Sequence, residues 1–141
     1  DTLLGSQGTD TLAGGEGADT LTGGNGNDDF YYGAPSEGGD TITDFNAGND
    51  EFHFLQSAFG NLATGTLDGG NFSVIAGAYD NTNGTSAAAT GNGAGFVFDS
   101  VNRVLTYDAD GNGGNSGFTI ATLSSGSVAA ADIQIVASSP V

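Results

Sequence analysis

Cysteine is absent from these 141 residues, and cationic side chains nearly so: Arg103 is the one Lys or Arg, and His53 the one histidine. Without cysteine there are neither disulfides nor thiolate metal sites. A lone histidine cannot build the His-Glu-x-x-His ligand set of zinc proteases, and the same shortage argues against nucleophile triads. The lack of basic patches argues against nucleic acid and anionic membrane as partners. No run of eighteen apolar residues exists, so no transmembrane helix and no membrane insertion are expected. No basic, hydrophobic leader opens the chain.

What is abundant is acid and glycine. Seventeen Asp and Glu give a formal net charge of -16, and there are 26 glycines. Self-repulsion opposes compaction until counterions arrive, and each glycine loses unusually large backbone freedom on folding. The chain is therefore expected to be largely unfolded without bound cations, as in other systems where metal binding and folding are coupled.

Its first thirty residues repeat every nine positions. Asp1, Asp10, Asp19 and Asp28 keep that step, as do Leu3, Leu12, Leu21 and Phe30. Gly5, Gly14 and Gly23 keep it too, as do Gly8, Gly17 and Gly26, with Gly15 and Gly24 doubling the first glycine in later units. The units GSQGTDTLA, GGEGADTLT and GGNGNDDFY each divide into six turn-forming residues and a three-residue strand. Two turns and two strands close one coil of eighteen residues, so Asp10 stacks under Asp28, and Asp1 under Asp19 on the opposite edge. Parallel strands lie about 4.8 Å apart, where two carboxylates repel by ~3–4 kcal/mol at an intermediate dielectric. A cation with oxygen ligands at ~2.3–2.6 Å fits between such layers, with turn carbonyls completing a flexible cage that favours calcium over magnesium. Ordered threonine rows are a feature of ice-binding solenoids, but Thr2 and Thr20 share one face while Thr11 takes the other, so each row is too short.

The pattern resembles the G-G-x-G-x-D-x-U-x nonapeptide of RTX (repeats-in-toxin) calcium-binding proteins, whose paired repeats build a parallel β-roll. The resemblance implies calcium sites made by the carboxylates named above and by the glycine turns of Gly5, Gly8, Gly14, Gly15, Gly17, Gly23, Gly24 and Gly26. Beyond Tyr31 the Asp-x-apolar signature returns at Asp40-Thr41-Ile42 and Asp50-Glu51-Phe52, with Asp40 continuing the Asp1–Asp19 stack and Asp50 that of Asp10 and Asp28. The stretch GGDTITDFNAGNDEFHF is similar to the segment closing the roll in serralysin-type RTX domains, which implies calcium roles for Asp40, Asp44 and Asp50. A turn carboxylate is the alternative for Asp44.

The expected architecture is all-β: a parallel β-roll over 1–54 and a C-terminal capping β region over 55–141, in one structural unit. Phe54, Leu55, Phe59, Leu62, Leu67, Phe72, Val74 and Ile75 supply apolar groups to close the roll end. Leu55 to Leu62 suggest one short helical turn, and Asp80 to Gly93 a surface loop of low complexity. Antiparallel strands follow, Phe96–Phe98 and Val104–Tyr107 joined by a hairpin, then Gly117–Leu123 and Ile133–Val136. This block resembles the end of many RTX proteins exported by type I secretion, in which Arg103 replaces a common turn glycine. Asp108 and Asp110 open a run with the oxygen spacing of half an EF-hand loop, but its twelfth position is Thr119 rather than Glu, so a hairpin loop competes with a weak calcium site. His53 reads as a surface or edge residue. Periodic stacking explains the carboxylate pairs as metal ligands rather than as a glycosidase pair, and no enzymatic activity is expected of this chain.

The opening Asp1-Thr2-Leu3-Leu4 reads as the tail of a unit whose turn precedes it, so a larger polypeptide is expected. The resemblance thus implies a secreted bacterial calcium-binding module that folds after passage through a type I exporter. The runner-up is a structural or adhesive piece of an S-layer or surface adhesin, with self-association or cell-surface polysaccharide as partner. A weaker alternative is the non-catalytic tail of an exported hydrolase.

Overall fold

The computed structural model describes residues 1–79, 93–110 and 117–141. All but Gly93 of the Asp80–Gly93 loop, and Gly111 to Gly113 of the Asp108 run, lie outside the described residues. Among the described residues twelve strands follow in order: β1 Thr2–Gln7, β2 Thr11–Leu12, β3 Thr20–Asn25, β4 Asp29–Tyr32, β5 Asp40–Ile42, β6 Glu51–Leu55, β7 Gly65–Thr66, β8 Phe72–Ile75, β9 Gly95–Asp99, β10 Val104–Asp108, β11 Phe118–Leu123 and β12 Ile133–Val136. Among the described residues helical backbone is confined to four three-residue 3₁₀ turns, one of them, Gln56–Ala58, inside the Leu55–Leu62 stretch.

The strands form two sheets, ordered β1-β3-β5-β11-β10-β9-β8 and β2-β4-β6-β12-β7, and β1 to β6 alternate between them. The first three coils, β1/β2, β3/β4 and β5/β6, stack in parallel register, with Leu3 beside Leu21, Leu21 beside Ile42, Leu12 beside Phe30 and Phe30 beside Phe52. The large apolar residue two places after each Asp thus forms an inward ladder in each sheet. Phe45 wedges between Phe30 and Phe52, at ring-centroid distances of 6.0 and 4.9 Å.

The fourth coil comes from the far end of the chain. Strand β11 runs parallel to β5, with Leu123 beside Ile42, and β12 runs parallel to β6, with Ile133 beside Phe52. Both sheets therefore cross the expected boundary at 54/55. The antiparallel pairing expected of the C-terminal region is present between β9, β10 and β11, but β11 and β12 belong to the solenoid itself. Nothing in the local pattern marks them, because a parallel strand needs only an apolar inward face that matches its neighbour. The excursion between β6 and β11 packs its aromatics on the roll end, where Phe54 meets Phe96 at 4.4 Å and Phe59 meets Tyr107 at 4.9 Å. Phe59, Leu62 and Leu67 are buried as a cap requires, whereas Val74, on the edge strand β8, is 57% exposed.

The glycine turns are more regular than turns read one at a time suggest. β1 and β3 run on through Gly5–Gln7 and Gly23–Asn25, since Ser6 pairs with Gly24 and Gln7 with Asn25 one coil away. The second turn position has positive φ throughout, +83° at Gly15, +99° at Gly24 and +92° at Ser6. Serine at such a φ costs ~1–2 kcal/mol, partly offset by glycine's greater unfolded-state entropy. Ser6→Gly should therefore stabilise the calcium-loaded protein by about 1 kcal/mol. Thermal melts in saturating calcium measure this, and a lowered melting temperature would contradict the strain argument.

Candidate metal centre

From Asp19 onward each repeat aspartate ties its coil to the one before it. Asp28 Oδ1 accepts the backbone N–H of Asp10 at 3.0 Å, and Asp50 Oδ1 that of Asp28 at 3.0 Å. On the other edge, Asp40 Oδ1 accepts the backbone N–H of Asp19 at 2.9 Å, and Asp19 Oδ1 accepts the amino group of Asp1. Two columns result, Asp10–Asp28–Asp50 and Asp1–Asp19–Asp40. Asp19, Asp28, Asp40 and Asp50 are all buried.

The second oxygen separates these acids into two groups. Oδ2 of Asp10, Asp19 and Asp28 is buried without a hydrogen-bond partner. An orphaned buried carboxylate oxygen is costly unless a cation meets it. Each is held at the first glycine of its own turn: a Cβ at Gly5, Gly14 or Gly23 would lie 2.7, 2.5 or 2.5 Å from the Oδ2 of Asp10, Asp19 or Asp28. First-position glycines keep space for that oxygen, whereas Gly15, Gly24 and the fourth-position Gly8, Gly17 and Gly26 stand at positive φ.

The later acids spend both oxygens on the protein. Asp40 Oδ2 accepts the Tyr32 hydroxyl at 2.9 Å, and Asp50 Oδ2 accepts the Asn46 N–H at 2.8 Å. Asp44 accepts the N–H groups of Gly23 and Gly24, at 2.9 and 2.8 Å, and so closes the turn of the preceding coil. Beyond Asp40 the column ends, because Ala121 of β11 stands beside it in register. Asp132 joins the fourth coil to the third by accepting the N–H of Gly48 at 2.9 Å while accepting that of Ala129 at 2.8 Å. The repeat period carries no signal for Asp132, which lies far along the chain from the turn it caps.

Asp108 and Asp110 stand apart from both columns, at the end of β10, a strand separated from β5 by β11. Asp108 accepts the Tyr79 hydroxyl and the Asp110 N–H, the behaviour of a turn carboxylate. His53 lies on the outer face of the five-stranded sheet but not at its edge: it sits on the middle strand, partly exposed, and faces Glu51 and Asp29. Arg103 does occupy a glycine-like turn, at φ +57°.

Burial raises the Asp40 carboxyl above its ordinary 3.8, against the lowering effect of the Asp19 N–H and the Tyr32 hydroxyl. Burial likewise raises Asp50, against the N–H groups of Asn46 and Asp28. A carboxyl raised in the fold contributes stability that is full below its ordinary value and lost as pH rises through the raised one. Calcium-depleted protein should therefore gain structure as pH falls from neutral toward the carboxylate range. Circular dichroism across that range, with Asp40→Asn and Asp50→Asn flattening the profile, is the check; a profile that falls monotonically with acid opposes it.

Gly23→Ala should raise the calcium concentration at half-folding about tenfold, since crowding at such a contact costs ~1–3 kcal/mol. Gly69→Ala, where a Cβ meets open space, should leave it unchanged. Calcium titrations of the two variants decide this, and equal midpoints would refute the cradle role of Gly23.

Residues 1–34 match the RTX calcium-binding nonapeptide repeat, in four copies. Comparison with curated proteins finds no match. The matched segment carries the three orphaned carboxylates and their glycine turns, and this part of the chain is an RTX-type calcium-binding repeat array folded as a β-roll. Among the described residues no helix is long and apolar enough to cross a membrane.

Proposed function

We propose that this chain is a calcium-triggered folding module of a larger secreted bacterial protein, exported unfolded by a type I system and set into its roll outside the cell. The observation that carries the reading is the trio of buried, unpartnered oxygens on Asp10, Asp19 and Asp28, each inside a glycine turn. These three carboxylates would hold the ions, with turn carbonyls of the glycine segments completing the ligand set. Asp40, Asp44 and Asp50 act as caps that hold the turns in register, and Asp1 begins one column.

Bound calcium supplies the positive charge and oxygen coordination that the stacked turns require. The chain's own part is to align the carboxylates, keep side chains out of their way and close the ends with apolar coils. Extracellular calcium modules work at ~10⁻⁴–10⁻³ M, so they stay empty in the cytosol and fill after export. Each site adds ~2.7 kcal/mol at a hundredfold excess over its Kd, which several sites together turn into a switch for a chain of net charge -16. The module's own role is non-catalytic, and any enzymatic activity belongs to the parent protein.

Far-UV circular dichroism in excess chelator should show a disordered chain, and millimolar calcium should convert it to β structure. Asp28→Ala should weaken that response at least tenfold in calcium midpoint. A fully folded spectrum in chelator would overturn the trigger. Calcium-dependent self-association in sedimentation would instead favour the surface-assembly role.

A further inference from the structure

Outside the turns, the exposed face of the five-stranded sheet carries a cluster that calcium binding does not use. Asp29 of β4 and Glu51 of β6 are direct cross-strand partners, and His53 follows two residues later on the same face. His53 Nε2 lies 3.0 Å from Glu51 Oε2 and 3.4 Å from Asp29 Oδ1. All three ligand atoms lie within 4.8 Å of one another. We propose that Asp29, Glu51 and His53 form a second metal site, for a transition ion of the Zn²⁺, Co²⁺ or Ni²⁺ class.

The spacing fits such an ion. A tetrahedral metal about 2.0–2.2 Å from each ligand holds those ligands about 3.4 Å apart, near the 3.0 and 3.4 Å that separate His53 Nε2 from the two carboxylates. Imidazole nitrogen with two carboxylates suits borderline divalent ions, whereas calcium takes oxygen cages. Two carboxylates balance the charge of a divalent ion while the imidazole stays neutral. The side chains are 27%, 38% and 17% exposed for Asp29, Glu51 and His53, so an ion can enter and water can take the open position. The site is also held rigid from behind, because Phe30, Phe52 and Phe54 on the same two strands are fully buried. Preorganisation of this kind is what a three-ligand surface site needs in order to compete with water.

The proposal rests on strand register and not on the calcium trigger, so it is tested on tag-free protein already saturated with calcium. Zn²⁺ titrated by calorimetry should bind with one equivalent per chain, and Co²⁺ should give the visible bands of a four- or five-coordinate centre with a nitrogen ligand. His53→Gln should lower the affinity at least tenfold and abolish those bands, and Glu51→Gln should weaken both. Circular dichroism in calcium establishes that each variant is folded. Absence of uptake by the native chain, or uptake unchanged in His53→Gln, would overturn the site and leave the cluster as an ion pair only.

Discussion

The structure depends on one repeated contact, a carboxylate that hydrogen-bonds the backbone of the coil behind it while its other oxygen is caught in a glycine turn. At Asp28 one oxygen takes the Asp10 N–H, and the other faces the space that only glycine at position 23 leaves open. The arrangement is incomplete as protein alone. A hydrogen bond to a carboxylate stabilises modestly, whereas an orphaned buried oxygen costs comparably or more. The same residue therefore holds the stack in register and makes it demand a cation.

Between the acidic edges, the inward ladders make the coils cohere. Leu21, Ile42 and Leu123 line one sheet, and Phe30, Phe52 and Ile133 the other, all buried. Apolar burial is indifferent to calcium, while the carboxylate columns are not. A short roll with few apolar residues per coil leaves the balance to the edges.

The roll also has a designed end. Asp40 and Asp50 keep the register of their columns but satisfy their second oxygens with Tyr32 and Asn46, and Ala121 then stands beside Asp40 where its column would continue. Unpartnered aspartate oxygens in the two columns thus give out at the third coil, before the fourth coil closes the solenoid. The aromatic path from Phe54 through Phe96 to Tyr107 joins this end to the C-terminal strands. Outside the columns, the face bearing Asp29, Glu51 and His53 is a by-product of the same register, which places residues from different coils side by side.

Much of this was legible in the linear pattern, because a nine-residue period constrains every coil alike. Leu12, Leu21 and Phe30 face inward and Asp10 meets Asp28 since residues one coil apart must superpose. The period is silent where contacts are not periodic. It did not reveal that β11 and β12 supply the fourth coil, since a matching apolar strand can arrive from any distance in the chain. It did not separate Asp28, with an unpartnered oxygen, from Asp50, with none, since that depends on whether Asn46 reaches the second oxygen. Nor did it show His53 beside Asp29, which belongs to another strand. The sequence alone determined the repeating unit, its acidic corners and its apolar ladders, because these follow from spacing along one backbone. Only the tertiary structure decided how the solenoid is closed, which carboxylate oxygens remain unpaired and what lies across the sheet, because each depends on atoms that the chain brings together only by folding.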